Sequence, residues 1–229
     1  MSKYSDKLLG LDVPKVLLGI PMLGTVTAEF FKSILMVKTN GNMQIALEVN
    51  SLTHVARNNL AAKALEQECD YIVMVDSDMT FEPDAILKLV QDAEEGQLDL
   101  VAALSFRRQY PTAPIICKSV TWERDMETGQ ITHGSEAMLD YPKDSLFQIA
   151  ACGFGMVCIR TEVIKEVAGK FAMQPFDPMP ALGEDYSFCW RMGQLGKKLY
   201  CDSRVKLGHV GATIFDEGVW ERQQNKKQS

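Results

Sequence analysis

Five apolar residues in a row, Tyr71-Ile72-Val73-Met74-Val75, run straight into Asp76-Ser77-Asp78. A continuous apolar run of this length fits a central parallel strand covered on both faces. Ligands of open α/β sheets bind beyond the carboxyl ends of such strands. Acids ending a buried strand are costly unless something positive stands beside them. The surroundings repeat the same alternation. Further strand candidates lie at 16–21, 44–49 and 99–104, with helical spacing over 27–37, 55–65 and from Pro83 through Ala93. This order predicts an α/β fold on a mostly parallel, Rossmann-like sheet.

After Phe106 the pattern changes. A Pro-containing loop at 109–114 leads to short strands and a turn at 127–130, a small antiparallel region. Gln148 to Arg160 reads as one strand interrupted by Gly153 and Gly155. Helices follow from about Glu162 and over 184–195, the second ended by Gly196. A late strand covers 198–201, and the polar tail from Gln223 is expected to fray. The 229 residues suit one domain with halves at about 15–105 and 106–212 and a tail at 213–229.

Composition excludes several classes. Lys and Arg number 24 against 30 Asp and Glu, a net charge of −6, which counts against a general nucleic-acid binder. Six Cys include no Cys-x-x-Cys pair, so no zinc ribbon is expected. They read as buried, reduced thiols of a cytoplasmic protein. No stretch approaches the ~18 apolar residues of a spanning helix.

The candidate chemistry is carried by acids, one histidine and one arginine. Asp76 and Asp78 can point the same way and share Mg²⁺ or Mn²⁺ through hard oxygens. An Asp-x-Asp arises by chance about once in such a chain, so placement at a strand end carries the argument, with a turn role as the alternative. Glu184 and Asp185 open a helix after Gly183, where acids meet the positive helix end or one serves as a general base. His209 is a candidate metal ligand or a structural histidine. Arg57 stands near a helix start, able to bind a phosphate or to pair with the strand-end acids. Gly153-Phe154-Gly155 allows close backbone approach to a ligand or forms a simple bulge. Arg107-Arg108 is a solvated turn or an anion contact.

Taken together, Gly19-Ile20-Pro21, Ala56-Arg57-Asn58, Asp76-Ser77-Asp78, Gly183-Glu184-Asp185-Tyr186-Ser187-Phe188 and Gly208-His209-Val210-Gly211 resemble a glycosyltransferase of the A-type fold, closest to family 2. The resemblance implies a single domain whose first half binds a nucleotide-diphosphate sugar and whose second half binds the acceptor. It implies Mn²⁺ or Mg²⁺ held by Asp78 and His209, with Asp76 on the ribose or the metal's water. Pro21, Ser77 and Arg57 would face the nucleotide. Asp185 would deprotonate the acceptor hydroxyl, Glu184 would orient neighbouring groups, and the outcome would be inversion. Gly153, Phe154 and Gly155 would line the acceptor side. Where many members carry Asp-Asp-x-Ser, this chain has Glu48-Val49-Asn50-Ser51, so Glu48 stands in for the acid that reads the base, with a UDP-sugar the favoured donor. The acceptor class stays open among saccharides, lipids, proteins and modified nucleobases.

Three rivals remain. Asp76-Ser77-Asp78-Met79-Thr80 also fits the Asp-x-Asp-x-Thr of haloacid-dehalogenase-type phosphohydrolases, although at least two strands precede it here. A sugar-phosphate nucleotidyltransferase would need a Gly-rich basic loop after the first strand, which Pro21-Met22-Leu23-Gly24 lacks. A non-catalytic nucleotide-sugar-binding module would have little use for Asp78, Asp185 and His209 together.

Overall fold

The computed structural model describes residues 13–228. Its centre is a seven-stranded sheet in the order β2-β1-β3-β10-β5-β11-β8. The strands are β1 (Val16–Met22), β2 (Met43–Val49), β3 (Tyr71–Val75), β5 (Leu100–Leu104), β8 (Leu146–Gln148), β10 (Met156–Arg160) and β11 (Leu199–Lys206). β1 pairs in parallel with β2 and β3, and β11 with β5. β10 is antiparallel to both β3 and β5, and β8 is antiparallel to β11. The mostly parallel sheet is therefore interrupted at its middle by β10, whose Val157 and Ile159 face one hydrophobic core and whose Met156 and Cys158 face a second.

Helices cover both faces. On one lie α2 (Thr53–Glu66), α4 (Thr161–Phe171) and α5 (Glu184–Gln194), packing Leu60, Ala64, Ile164 and Phe188 on Leu17, Ile72 and Met74. On the other lie α1 (Ala28–Leu35) and α3 (Ala85–Gly96), packing Phe30, Ile86 and Leu89 on Leu18, Ile20 and Val73. Burial on both sides explains why β3 is apolar at every position. Gly19 lets α2 lie close, since a Cβ there would stand 3.2 Å from Leu60 Cδ1. Thr27 caps α1 by accepting from Phe30 N at 3.1 Å. Gly196, at φ +66°, terminates α5.

Two readings are corrected. The span 148–160 is three strands in two sheets, the end of β8, then β9 (Ala151–Cys152), then β10. β9 leaves the central sheet to pair with β6 (Ile116–Arg124), whose other neighbour is β7 (Ile131–Ala137). The glycines at 153 and 155 permit this change of sheet. A Cβ at 153 would stand 2.7 Å from Ile115. The tail does not fray over its whole length either, because residues Glu217–Gln228 form α6. Asp216 caps it through Val219 N at 2.8 Å, and buried Glu217 accepts from Tyr141 and Lys143 at 2.8 and 2.6 Å. Polar composition misleads here because the helix is held by ion pairs. Gln223 adds two hydrogen bonds to Thr112, at 2.8 and 3.0 Å.

Candidate active site

The chain turns at Asp76 where β3 ends, and Asp76 N donates to Gly155 O at 3.0 Å. It re-enters a small three-stranded sheet through β4 (Met79–Thr80), which pairs with β12 (Gly208–Val210), itself paired with β13 (Ile214–Phe215). His209 lies opposite Met79 in that register, and Val210 N donates to Asp78 O at 2.8 Å. Residues 131 positions apart thus meet, with His209 Nε2 3.2 Å from Asp78 Oδ2. Gly208 is required by the approach, since a Cβ there would collide with Thr80 and Ile214.

Arg57 is buried at the junction of the two halves. Its Nη2 donates to Asp76 Oδ1 at 2.8 Å, and its Nη1 lies 3.4 Å from Glu184 Oε1, an ion pair without hydrogen-bond geometry. Phe154 lies beneath it, with the guanidinium carbon 5.0 Å from the ring centroid. Burial opposes its charge, but Asp76, Glu184 and Asp185 outweigh that and raise its pKa. The next residue, Asn58, fixes the loop before α5 by accepting from Phe176 N and donating to Asp177, both at 2.9 Å. Arg191, fully buried in α5, holds the same loop through the carbonyls of Pro175 and Asp177 at 2.9 and 2.7 Å.

The acids are held in different states. Burial outweighs Arg57 and raises the Asp76 pKa. At Asp78, burial is overcome by His209 and Arg108, which hold the carboxyl below its ordinary range. Asp185 sits in the first turn of α5 and accepts from its neighbour Tyr186 N at 2.7 Å. Burial and the adjacent Glu184 push it up to about 6. Such a carboxylate is ionised at neutral pH and basic enough to take a hydroxyl proton in a transition state.

A cleft of about 420 Å³ opens beside the strand tips, lined by Pro21, Asp76, Ser77, Asp78 and Arg108 together with Ser51 and Thr53 beyond β2. Several sequence candidates lie elsewhere. Glu48 accepts from Asn59 Nδ2 at 3.3 Å and is not part of this cleft wall. Arg57 also lies behind the wall, paired with the strand-end acid. Phe154, at 2% exposure, packs on Phe176 and Phe188, and its flanking glycines are buried as well. Phe154 thus forms a floor supporting Arg57. Sequence reasoning missed Ser51, Thr53 and the hydroxyls of Thr25 and Thr27 in the cleft; their signal was their position after the ends of β1 and β2.

Residues 42–154, just under half of the chain, match the family described as Glycosyl transferase family 2. The chain has the A-type fold of solved structures similar to it, and its middle resembles family 2 glycosyltransferases. Among solved structures, A197 from STIV is similar at TM-score 0.60 and 16% identity over 86% of each chain. GalNAc-T7 with UDP, GalNAc and Mn²⁺ is similar at TM-score 0.59 and 12% identity, over 87% of this chain and 43% of that one. No curated protein sequence matches. The segment that matches includes Asp76 and Asp78, which favours the glycosyltransferase reading of these acids over the phosphohydrolase one.

The chemistry of the strand tip suits a divalent cation. His209 Nδ1 lies 2.9 Å from Phe106 O, a carbonyl that only accepts, so the ring carries its proton on Nδ1. Burial opposes a charge on the ring, but Asp78 and the Phe106 carbonyl outweigh it and raise the His209 pKa, so the protonated ring donates from Nε2 to Asp78. When the ring is neutral, Nε2 and Asp78 Oδ2 are two adjacent donor atoms that a divalent cation can share. Among the described residues no three His, Cys, Asp or Glu side chains converge there, so a metal would complete its shell with substrate oxygens and water.

Proposed function

We propose that this glycosyltransferase moves one sugar from a nucleotide-diphosphate sugar, a UDP-sugar by preference, to an acceptor hydroxyl with inversion. The observation that carries this reading is the Arg57 junction. One buried cation ties the strand tip at Asp76 to the α5 terminus bearing Glu184 and Asp185. On this reading, donor and acceptor chemistries lie side by side.

Asp78 and His209 would hold Mn²⁺ or Mg²⁺, and Asp76 the ribose or a metal-bound water. When bound, the metal supplies positive charge against the diphosphate that leaves. Asp185 takes the acceptor hydroxyl's proton on its carboxylate, and Glu184 orients neighbouring groups through Arg57. The structure of GalNAc-T7 with UDP, GalNAc and Mn²⁺ supports this donor chemistry. No helix among the described residues is long and apolar enough to cross a membrane, and six buried free cysteines suit the reducing cytoplasm.

Thermal unfolding with Mn²⁺ and UDP tests the reading. Ligands that bind only the native state stabilise it, by about 2.7 kcal/mol at a hundredfold excess over Kd. A rise in Tm that is lost in Asp78→Ala is expected. No rise with any nucleoside diphosphate in the presence of Mn²⁺ would overturn it.

A further inference from the structure

Asp78 Oδ2 already has a cation on it. Arg108 Nη1 lies at 2.6 Å, closer than His209 Nε2 at 3.2 Å on the same oxygen. The Arg108 side chain is 51% exposed and lines the donor cleft. Its aliphatic stem lies across Gly211, where a Cβ would stand 2.6 Å from Arg108 Cγ. The missing side chain at 211 leaves a track for the arm.

The arm is loose while its root is fixed. Thr112 Oγ1 donates to Arg107 O at 2.7 Å, and Gln223 of α6 holds Thr112 by two hydrogen bonds. Tyr110 packs edge-on against Phe215 at 5.1 Å between centroids. Movement is therefore confined to the side chain of 108, and an exposed ion pair holds it only weakly.

We propose that Arg108 is an exchangeable cation of the donor site. Without ligand it neutralises Asp78. A divalent cation takes over that oxygen, and the freed guanidinium pairs with the nucleotide diphosphate, whose oxygens its forked donors match. This rests on the donor-site reading above.

The exchange predicts two shifts of opposite sign in Arg108→Ala. Mn²⁺ binding without nucleotide, followed by the electron paramagnetic resonance of free Mn²⁺, tightens by about threefold to tenfold because a competitor is gone. UDP binding at saturating Mn²⁺, measured by calorimetry, weakens by about tenfold or more. Arg108→Gln, which keeps much of the bulk without the charge, should shift both in the same directions. Arg108→Lys, which keeps the charge, should restore most of the competition. Mn²⁺ affinity unchanged or weakened in Arg108→Ala overturns the exchange, as does unchanged UDP affinity. Wild-type protein that binds neither Mn²⁺ nor UDP overturns the donor-site reading itself and the exchange with it.

Discussion

Asp76 and Asp78 stand two residues apart at one strand tip, yet their cations differ in kind. Arg57, beside Asp76, has a side chain 3% exposed and joins two halves of the molecule. Arg108, beside Asp78, is 51% exposed and pairs with that acid. A buried cation cannot leave without taking the shared partner from two partly buried carboxylates, Asp76 and Glu184, so it acts as a fixed joint. An exposed cation is hydrated in either position and can be replaced. The same triplet thus contributes one acid anchored by a buried cation and one whose cation can be replaced.

Removing the fixed joint is the severest way to break this contrast. Arg57→Ala should cost about 3–5 kcal/mol in denaturant unfolding, because two carboxylates lose their buried partner. A loss below about 1 kcal/mol would show that Arg57 is no joint.

The acids on the far side of the joint come next. Asp185→Asn should lower turnover by about 10²–10⁴-fold while UDP affinity stays. Unchanged turnover would remove Asp185 as the base. Absence of turnover in the wild type, with UDP still bound, would favour a binding module. The base works only when ionised, so wild-type turnover should fall as pH drops through about 6 and level off above it. A limb centred near the ordinary Asp value would contradict the buried setting.

The smallest effect sharpens the contrast from the exposed side. Arg108→Ala should change stability by only about 0–1 kcal/mol. A loss as large as that for Arg57 would make both cations structural.

Much of the fold was legible in residues. The run Tyr71–Val75, the spacing of α2 and α3, and Gly196 at the end of α5 each follow from local rules of burial, period and capping. β10 was not placed by those rules, because nothing in Met156–Arg160 states that it inserts antiparallel between β3 and β5. α6 was missed because its attachment is ionic, through Glu217 to Lys143 and Lys206, and such partners are invisible in a polar tail.

The site divides along the same line. Residue type and order were enough to single out Asp76, Asp78, Asp185 and His209, since few side chains carry such chemistry and strand ends and helix starts are readable locally. Only the folded chain decided that Arg57 turns inward to the acids, that Phe154 lies under it, and that Glu48 bonds Asn59. Those outcomes depend on which groups remain hydrated and which find a partner at long sequence separation, and local sequence does not encode that balance.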